Sequence, residues 1–85
     1  MAEQKVGEVS HYFGGISVAA LELSGELRVG DTIHIKGHTS DFVQTVDSMQ
    51  IEHDSVESAG AGDSVGIKVA EHARQHDEVF KVTGD

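Results

Sequence analysis

Histidine is the residue type that most invites a chemical interpretation here, because six of the 85 residues are histidines. Imidazole nitrogens bind zinc and titrate near neutral pH, so histidine clusters can form metal sites or pH-sensitive surfaces. His34 and His38 flank a predicted turn, and His72 and His76 are four residues apart. No spacing matches a zinc signature, so exposed polar positions are the favoured interpretation. A histidine-rich metal-binding or pH-responsive protein is an alternative.

Other catalytic patterns are weak in this sequence. The serines are common, but none lies in the Gly-x-Ser-x-Gly turn of a nucleophile elbow. The glycine-rich segments 14–15 and 60–62 lack the Lys-Ser/Thr ending of a phosphate-binding loop. Cysteine is absent, which removes thiolate chemistry. The sequence therefore predicts a protein that is not an enzyme and that binds no cofactor, metal or nucleotide.

Length and hydropathy bound the organisation of the chain. Eighty-five residues form one small domain, which we predict over residues 5–82, with a flexible lead-in at 1–4 and a tail at 83–85. No apolar run is long enough for a transmembrane helix or a secretory signal. Together with the absence of cysteine, this predicts a cytoplasmic protein without membrane contact.

The net charge restricts the class of partner. Fifteen acidic residues against six basic ones give a formal charge of −9. Nucleic-acid binding is driven by lysine and arginine, which displace counterions from phosphates, so this balance disfavours RNA without excluding it. The charge therefore favours a protein partner over RNA.

A turn followed by a strand recurs along the chain. Gly30 and Asp31 precede an alternating strand, and Gly62 and Asp63 precede a second one. Glycine adopts backbone angles that other residues resist, and aspartate can bond to a nearby amide, so both pairs are predicted structural turns. A third, less regular copy spans residues 75–82.

These units indicate an all-β fold. We predict six strands with short connections, closed into a small barrel that leaves no exposed edges. The segment 42–53 is ambiguous, because its apolar spacing fits a helix while its β-branched residues favour a strand. A strand with a bulge near residues 47–48 is the preferred interpretation.

The turn motifs resemble the second domain of translational GTPases such as elongation factor Tu. The matching segments are VGEV at 6–9, LRVGDTIHI at 27–35, VDSMQ at 46–50 and AGAGDSVGI at 59–67. The resemblance covers nearly the whole chain and is greatest to free-standing elongation-factor-like proteins that consist of this barrel alone. The chain also resembles a related barrel that is attached to collagenase-like peptidases.

The resemblance implies a six-stranded Greek-key barrel that acts as a binding module, often at a tRNA acceptor end or a neighbouring domain. Without the nucleotide-binding domain, no GTPase activity is implied. Residues 50–54 are acidic where elongation factor Tu is basic, which argues against tight tRNA binding. His76 replaces the glycine that the family usually has before Asp77, so the third turn is expected to be altered.

The function predicted from these observations is a non-enzymatic binding or adaptor module that contacts a protein partner. RNA recognition is the alternative that the resemblance supports. The candidate binding face lies on strands predicted to be adjacent, with the polar side chains of alternating positions pointing outward. Its residues are His34, Lys36, His38, Gln50 and His53.

Overall fold

The structure, a computed structural model, describes residues 2–83 and contains ten β-strands and no helix in that range. The strands are β1 (Ala2–Phe13), β2 (Val18–Leu23), β3 (Leu27–Arg28), β4 (Thr32–Lys36), β5 (Asp41–Thr45), β6 (Met49–Ile51), β7 (Asp54–Val56), β8 (Ser58–Ala59), β9 (Ser64–Lys68) and β10 (Glu78–Thr83). The all-β prediction is confirmed, and the ambiguous segment 42–53 contains β5 and β6, which are separated at 46–48 and followed by a turn at 52–53. In the described residues no helix is long and apolar enough to cross a bilayer.

Eight strands form one antiparallel sheet in the order β5-β4-β10-β1-β2-β9-β6-β7, and β3 pairs with β8. The outer strands β5 and β7 are not hydrogen-bonded to each other, so the sheet is open and the predicted closed barrel is not confirmed. A side chain bridges the gap between β5 and the end of β9. The Gln44 amide donates to Lys68 O at 2.9 Å and accepts from Ala70 N at 2.7 Å. The Gln44 amide thus supplies one donor and one acceptor between two strands, β5 and β9, that do not pair with each other.

The long strand β1 connects the two halves of the sheet. It pairs with β10 and with β2, and its register shifts between Lys5 and Gly7 and again between Val9 and His11. These bulges explain why the apolar alternation of this segment is irregular in the sequence. The strand includes residues 2–4, which the sequence analysis assigns to a lead-in, while residue 1 and residues 84–85 of the predicted tail lie outside the described range.

The core is built by the alternating inward positions of the strands. On β4, Ile33 and Ile35 are fully buried while His34 and Lys36 face outward, as predicted. On β2 the buried side carries Leu21 and the opposite side carries Ala20. The buried apolar residues are Val6, Val9, Ala19, Leu21, Leu23, Leu27, Ile33, Ile35, Phe42, Val46, Met49, Ala59, Val65, Ile67, Val69, Ala73 and Val79.

All three predicted turns share one hydrogen-bond pattern. The aspartate carboxylate accepts a bond of 2.9 Å from the N–H of the residue three positions earlier. The aspartate N–H donates to the carbonyl oxygen of that same residue at 3.0–3.1 Å. The pairs are Arg28 with Asp31, Gly60 with Asp63, and Arg74 with Asp77. The side chain thus fixes the turn through a local ring.

Each turn is also tied to a buried residue of a distant strand or connection. The residue before the aspartate donates its N–H to that partner's carbonyl oxygen, and the partner's N–H donates to the aspartate carbonyl oxygen, at 2.8–2.9 Å. The partners are Val46 for Asp31, Leu23 for Asp63, and Val9 for Asp77. Each of the three turns therefore reverses the chain locally and also connects it to a buried residue of the core.

The third turn keeps this geometry although it lacks glycine, so the expected alteration is not found. His76 has φ of 77°, close to the 98° of Gly30 and the 92° of Gly62. An L-residue is strained at positive φ, because its Cβ approaches the backbone. The strain is carried by His76 while the turn stays intact.

We expect His76→Gly to raise the free energy of unfolding by about 0.5–1 kcal/mol, because it removes that strain at a small entropic cost. The reciprocal change Gly62→His should lower the free energy of unfolding by a similar amount. It introduces the same strain without a steric clash, because nothing lies within 4 Å of a Cβ at that position. Urea unfolding of both variants checks the pair. A destabilised His76→Gly variant would show that the imidazole contributes more than the strain costs.

Candidate functional site

His34 lies between two carboxylates on the outward side of the sheet. Its Nε2 is 2.5 Å from Asp41 Oδ1 on the outer strand β5, and its Nδ1 is 2.7 Å from Glu3 Oε2 on β1. The hydrogen bond to Asp41, followed by that to Glu3, raises the pKa of His34. The same contact lowers the pKa of Asp41. The imidazolium therefore ties together two strands that do not pair with each other.

This arrangement predicts a pH-dependent stability. The folded pKa of His34 is above the ordinary 6.5, so the stabilisation is complete below that pH and is lost as the pH rises through the folded pKa. We expect the free energy of unfolding to fall more from about pH 5.5 to about pH 8.5 in the wild type than in His34→Gln. The lowered pKa of Asp41 acts at the acid end, where its stabilisation is lost as the pH falls below about 4.

Denaturant unfolding at several pH values provides the measurement. His53→Gln is the matched control, since it removes an exposed imidazole elsewhere on the molecule and should follow the wild-type curve. Parallel wild-type and His34→Gln curves would contradict the expected linkage.

Lys36 and His38 lie near His34, at the end of β4 and in the following turn. Lys36 Nζ is 5.5 Å from the centroid of the Phe80 ring, which is a cation–π contact. Both residues line a shallow cleft of about 430 Å³ together with the acidic side chains of Glu8 and Glu78. This surface mixes both signs of charge.

Gln50 and His53 lie on a different part of the molecule. Four strands, β10, β1, β2 and β9, separate β4 from β6 in the sheet. The prediction that the five face residues occupy adjacent strands is therefore wrong. The chain leaves β5 at 46–48, and β6 then pairs with β9 rather than with β5. The predicted face consists of two separate surfaces, and a binding role for either stays a prediction.

The surface around Gln50 is a groove of about 370 Å³, which we call the apolar groove. Its floor crosses three paired strands, because Ala20 on β2 lies opposite Gly66 on β9, and Gly66 lies opposite Gln50 on β6. Phe13 and Ile16 stand beside this floor and are 47% and 64% exposed. Small residues in the floor and large ones beside it produce the concave shape.

The β6–β7 turn forms the other side of the apolar groove. Glu52 and His53 both line the groove and have φ of 50° and 70°. Two successive positive φ values are typical of the tight hairpin turn that matches the twist of paired strands. The turn places a carboxylate and an imidazole opposite the apolar side chains of Phe13 and Ile16.

Sequence reasoning predicted Gln50 and His53 but missed the apolar partners. Phe13 is the last residue of β1, and Ile16 lies in the connection before β2, which begins at Val18. The available signal was an isoleucine directly after Gly14 and Gly15, where a hairpin connection is usually polar. The small floor residues become meaningful only when the strand pairing is known.

The remaining histidines do not form a metal cluster in the part of the chain that the structure describes. No group of three His, Cys, Asp or Glu side chains in residues 2–83 is placed to hold a metal ion. The segment around His72 and His76 is not helical. The His72 ring instead contacts the Tyr12 ring, with centroids 4.3 Å apart.

Comparison with known proteins points to peptidases, although no family model matches the chain. The chain is 42% identical over 77 residues to an uncharacterized protease of Methanocaldococcus jannaschii. It is 37% identical over 78 residues to a collagenase of Porphyromonas gingivalis. Each match covers 89% of this chain, but the chain spans only 19% and 22% of the lengths of these relatives.

The fold is that of a domain already seen at the C-terminus of a larger protein. The structure is similar, with a TM-score of 0.89 and 19% identity, to the C-terminal domain of a Geobacillus thermoleovorans protein described as a U32 peptidase. The similarity covers 94% of this chain and 93% of that domain. A selenomethionine variant of the same domain gives a TM-score of 0.85.

These findings correct the identification made from the sequence. The assignment to elongation-factor-like proteins is wrong, because the relatives are named protease and collagenase and the structural neighbours belong to a U32 peptidase. The predicted translation-type adaptor function is contradicted by the same findings, and the expectation of tRNA binding loses its basis. The prediction that the chain is not an enzyme is also contradicted, since its relatives carry enzyme names.

Proposed function

We propose that the chain is the β-domain of a U32-type, collagenase-like peptidase and serves the proteolytic function of that protein. The observation that carries this proposal is the 42% identity over 89% of the chain to a protease. The similarity to a C-terminal peptidase domain agrees with it. In this proposal the protein partner is the remaining part of the peptidase, and peptide-bond hydrolysis is the reaction of the whole protein.

The proposed role of the domain is to help the peptidase engage a polypeptide. A concave apolar surface with a few polar groups suits the binding of an extended chain. The apolar groove has this character, with Phe13 and Ile16 on one side and Gln50 and His53 on the other. The P. gingivalis relative is named collagenase, so collagen is the substrate with which the proposal is tested.

The test is a domain replacement in the P. gingivalis collagenase. We expect the enzyme to lose most of its collagen cleavage when the matching segment of 78 residues is deleted, and to regain it when this chain replaces that segment. A short flexible linker in the same place controls for the deletion itself. Full cleavage by the linker variant would refute a role of this domain in proteolysis. Failure of a folded replacement to restore cleavage would refute the functional equivalence of the two domains.

A further inference from the structure

The apolar groove exposes side chains that the fold does not require at the surface. Ile16 lies in the connection between β1 and β2, where a polar residue would satisfy the turn equally well. Phe13 is half exposed at the end of β1 and packs against the His11 ring at a tilt of 58°, with ring centroids 4.4 Å apart. A contiguous apolar patch beside a concave floor is typical of a surface that a partner covers.

The charge around the groove specifies what can cover it. Glu52 is the formally charged residue among those that line it. Glu22 lies at one end, where its carboxylate accepts a hydrogen bond from the lining hydroxyl of Ser64. Lys68 stands at the other end, opposite Val18, but lines the neighbouring cleft with Asp47. With a net charge of −9, the potential over the groove favours a cation.

The polar groups of the groove suit a peptide backbone. The Gln50 amide offers donors and an acceptor, and the His53 ring offers one of each when it is neutral. Both side chains stand across the floor from the apolar ones. An extended peptide alternates its side chains, so one can enter the groove while the next reaches the rim.

We propose that the apolar groove binds an extended polypeptide segment in which a large apolar side chain is followed by a lysine or arginine. The apolar side chain lies on Ala20 and Gly66 against Phe13 and Ile16, and the basic side chain pairs with Glu52. This inference rests on the proposed function, which already assigns polypeptide binding to the apolar groove, and it adds the ligand chemistry. Binding is measured on the chain alone, so the two proposals are tested separately.

The probe is a short peptide of alternating leucine and lysine, titrated into the isotope-labelled 85-residue chain and followed by amide NMR. We expect shift changes confined to the residues of the apolar groove. Two comparison peptides carry glutamate in place of lysine or serine in place of leucine, and each should bind at least about tenfold more weakly. Equal binding of the serine peptide would reduce the effect to charge alone and overturn the proposal.

Variants of the chain locate the site. Ile16→Ser should weaken binding of the leucine–lysine peptide about tenfold, because it removes one apolar contact from an exposed loop. Val43→Ser is the matched control, since Val43 is 58% exposed on the outer strand β5, outside the residues that line the groove. The affinity of the Val43→Ser variant for the leucine–lysine peptide should stay within about twofold of the wild-type value.

Charge reversal tests the basic half of the ligand. Glu52→Lys should weaken the binding of the leucine–lysine peptide and strengthen the binding of the leucine–glutamate peptide. An unchanged preference, shift changes centred on His34 and Lys36, or no shift changes at about 1 mM peptide would each overturn the proposal. The collagenase replacement can still succeed in those cases, so the two tests fail independently.

Discussion

Gly37→Ala is expected to lower the free energy of unfolding by about 2 kcal/mol, although position 37 is itself exposed. An alanine Cβ there would lie 1.8 Å from Asp77 Oδ1 and 2.5 Å from its Cγ. The short aspartate side chain cannot give way by turning its carboxylate alone. It must leave its place, where it is 3% exposed and bonded to Arg74 N at 2.9 Å. The substitution therefore disrupts the third turn, although Gly37 is not part of that turn.

A double-mutant cycle distinguishes this cause from a local effect at position 37. If the cost arises from displacing the carboxylate, Gly37→Ala should be nearly neutral in an Asp77→Ala background. The two changes together should then cost about as much as either alone. Urea unfolding of the four proteins gives the coupling energy, and Gly60→Ala, which has nothing within 4 Å of its Cβ, is the control. Equal costs in both backgrounds would show that Asp77 is not the reason.

The turns were predictable because the hydrogen bonds that hold them are formed between residues close in the sequence. Asp31 and Asp63 each bond to the residue three positions earlier, so the motif contains both partners of the interaction. Even the third turn follows this rule, with His76 accepting the strained conformation that glycine takes elsewhere. What the motif could not show is the distant partner of each turn, because nothing near Asp77 in the sequence points to Val9.

The same locality explains why the family was misidentified. The residues that carried the resemblance, such as Gly30, Asp31, Gly62 and Asp63, are the residues that hold the turns. A match at these residues indicates that the chain forms the same turns, and it says little about what the outward faces of the sheet bind. Function is carried by sites placed on a fold, and the candidate surfaces described above include residues outside the turn motifs. The comparison with protease and collagenase covers 89% of the chain, including the residues outside the turns, and corrects the assignment.

The candidate surfaces were predictable only in part. The alternation of β4 correctly places His34 and Lys36 outward, since a strand presents successive side chains to opposite faces. The grouping of these residues with Gln50 failed, because it needed the sheet order, which is set by long-range pairing. Ala20 and Gly66 look unremarkable in the sequence. They form a floor because β2 and β9 place them opposite each other.

The largest effect of a single methyl group is expected at Gly7, where the long strand β1 changes its register. A Cβ at this position would lie 2.6 Å from the backbone carbonyl oxygen of Glu22 and 3.2 Å from the Leu23 side chain. Unlike the Asp77 carboxylate, a strand backbone cannot move aside without disturbing the ladder between β1 and β2. We expect Gly7→Ala to lower the free energy of unfolding by about 3 kcal/mol.

Gly66→Ala is the matched control, because it adds the same methyl group to a paired strand of the same sheet. Its Cβ would lie 3.4 Å from Val18 Cγ1, an ordinary contact, so we expect a change within about 0.5 kcal/mol. Urea unfolding of both variants against the wild type measures the difference. A Gly7→Ala variant as stable as Gly66→Ala would mean that β1 and β2 can separate at Gly7 at little cost. In that case the register shift between β1 and β10, rather than close packing against β2, would account for a glycine at position 7.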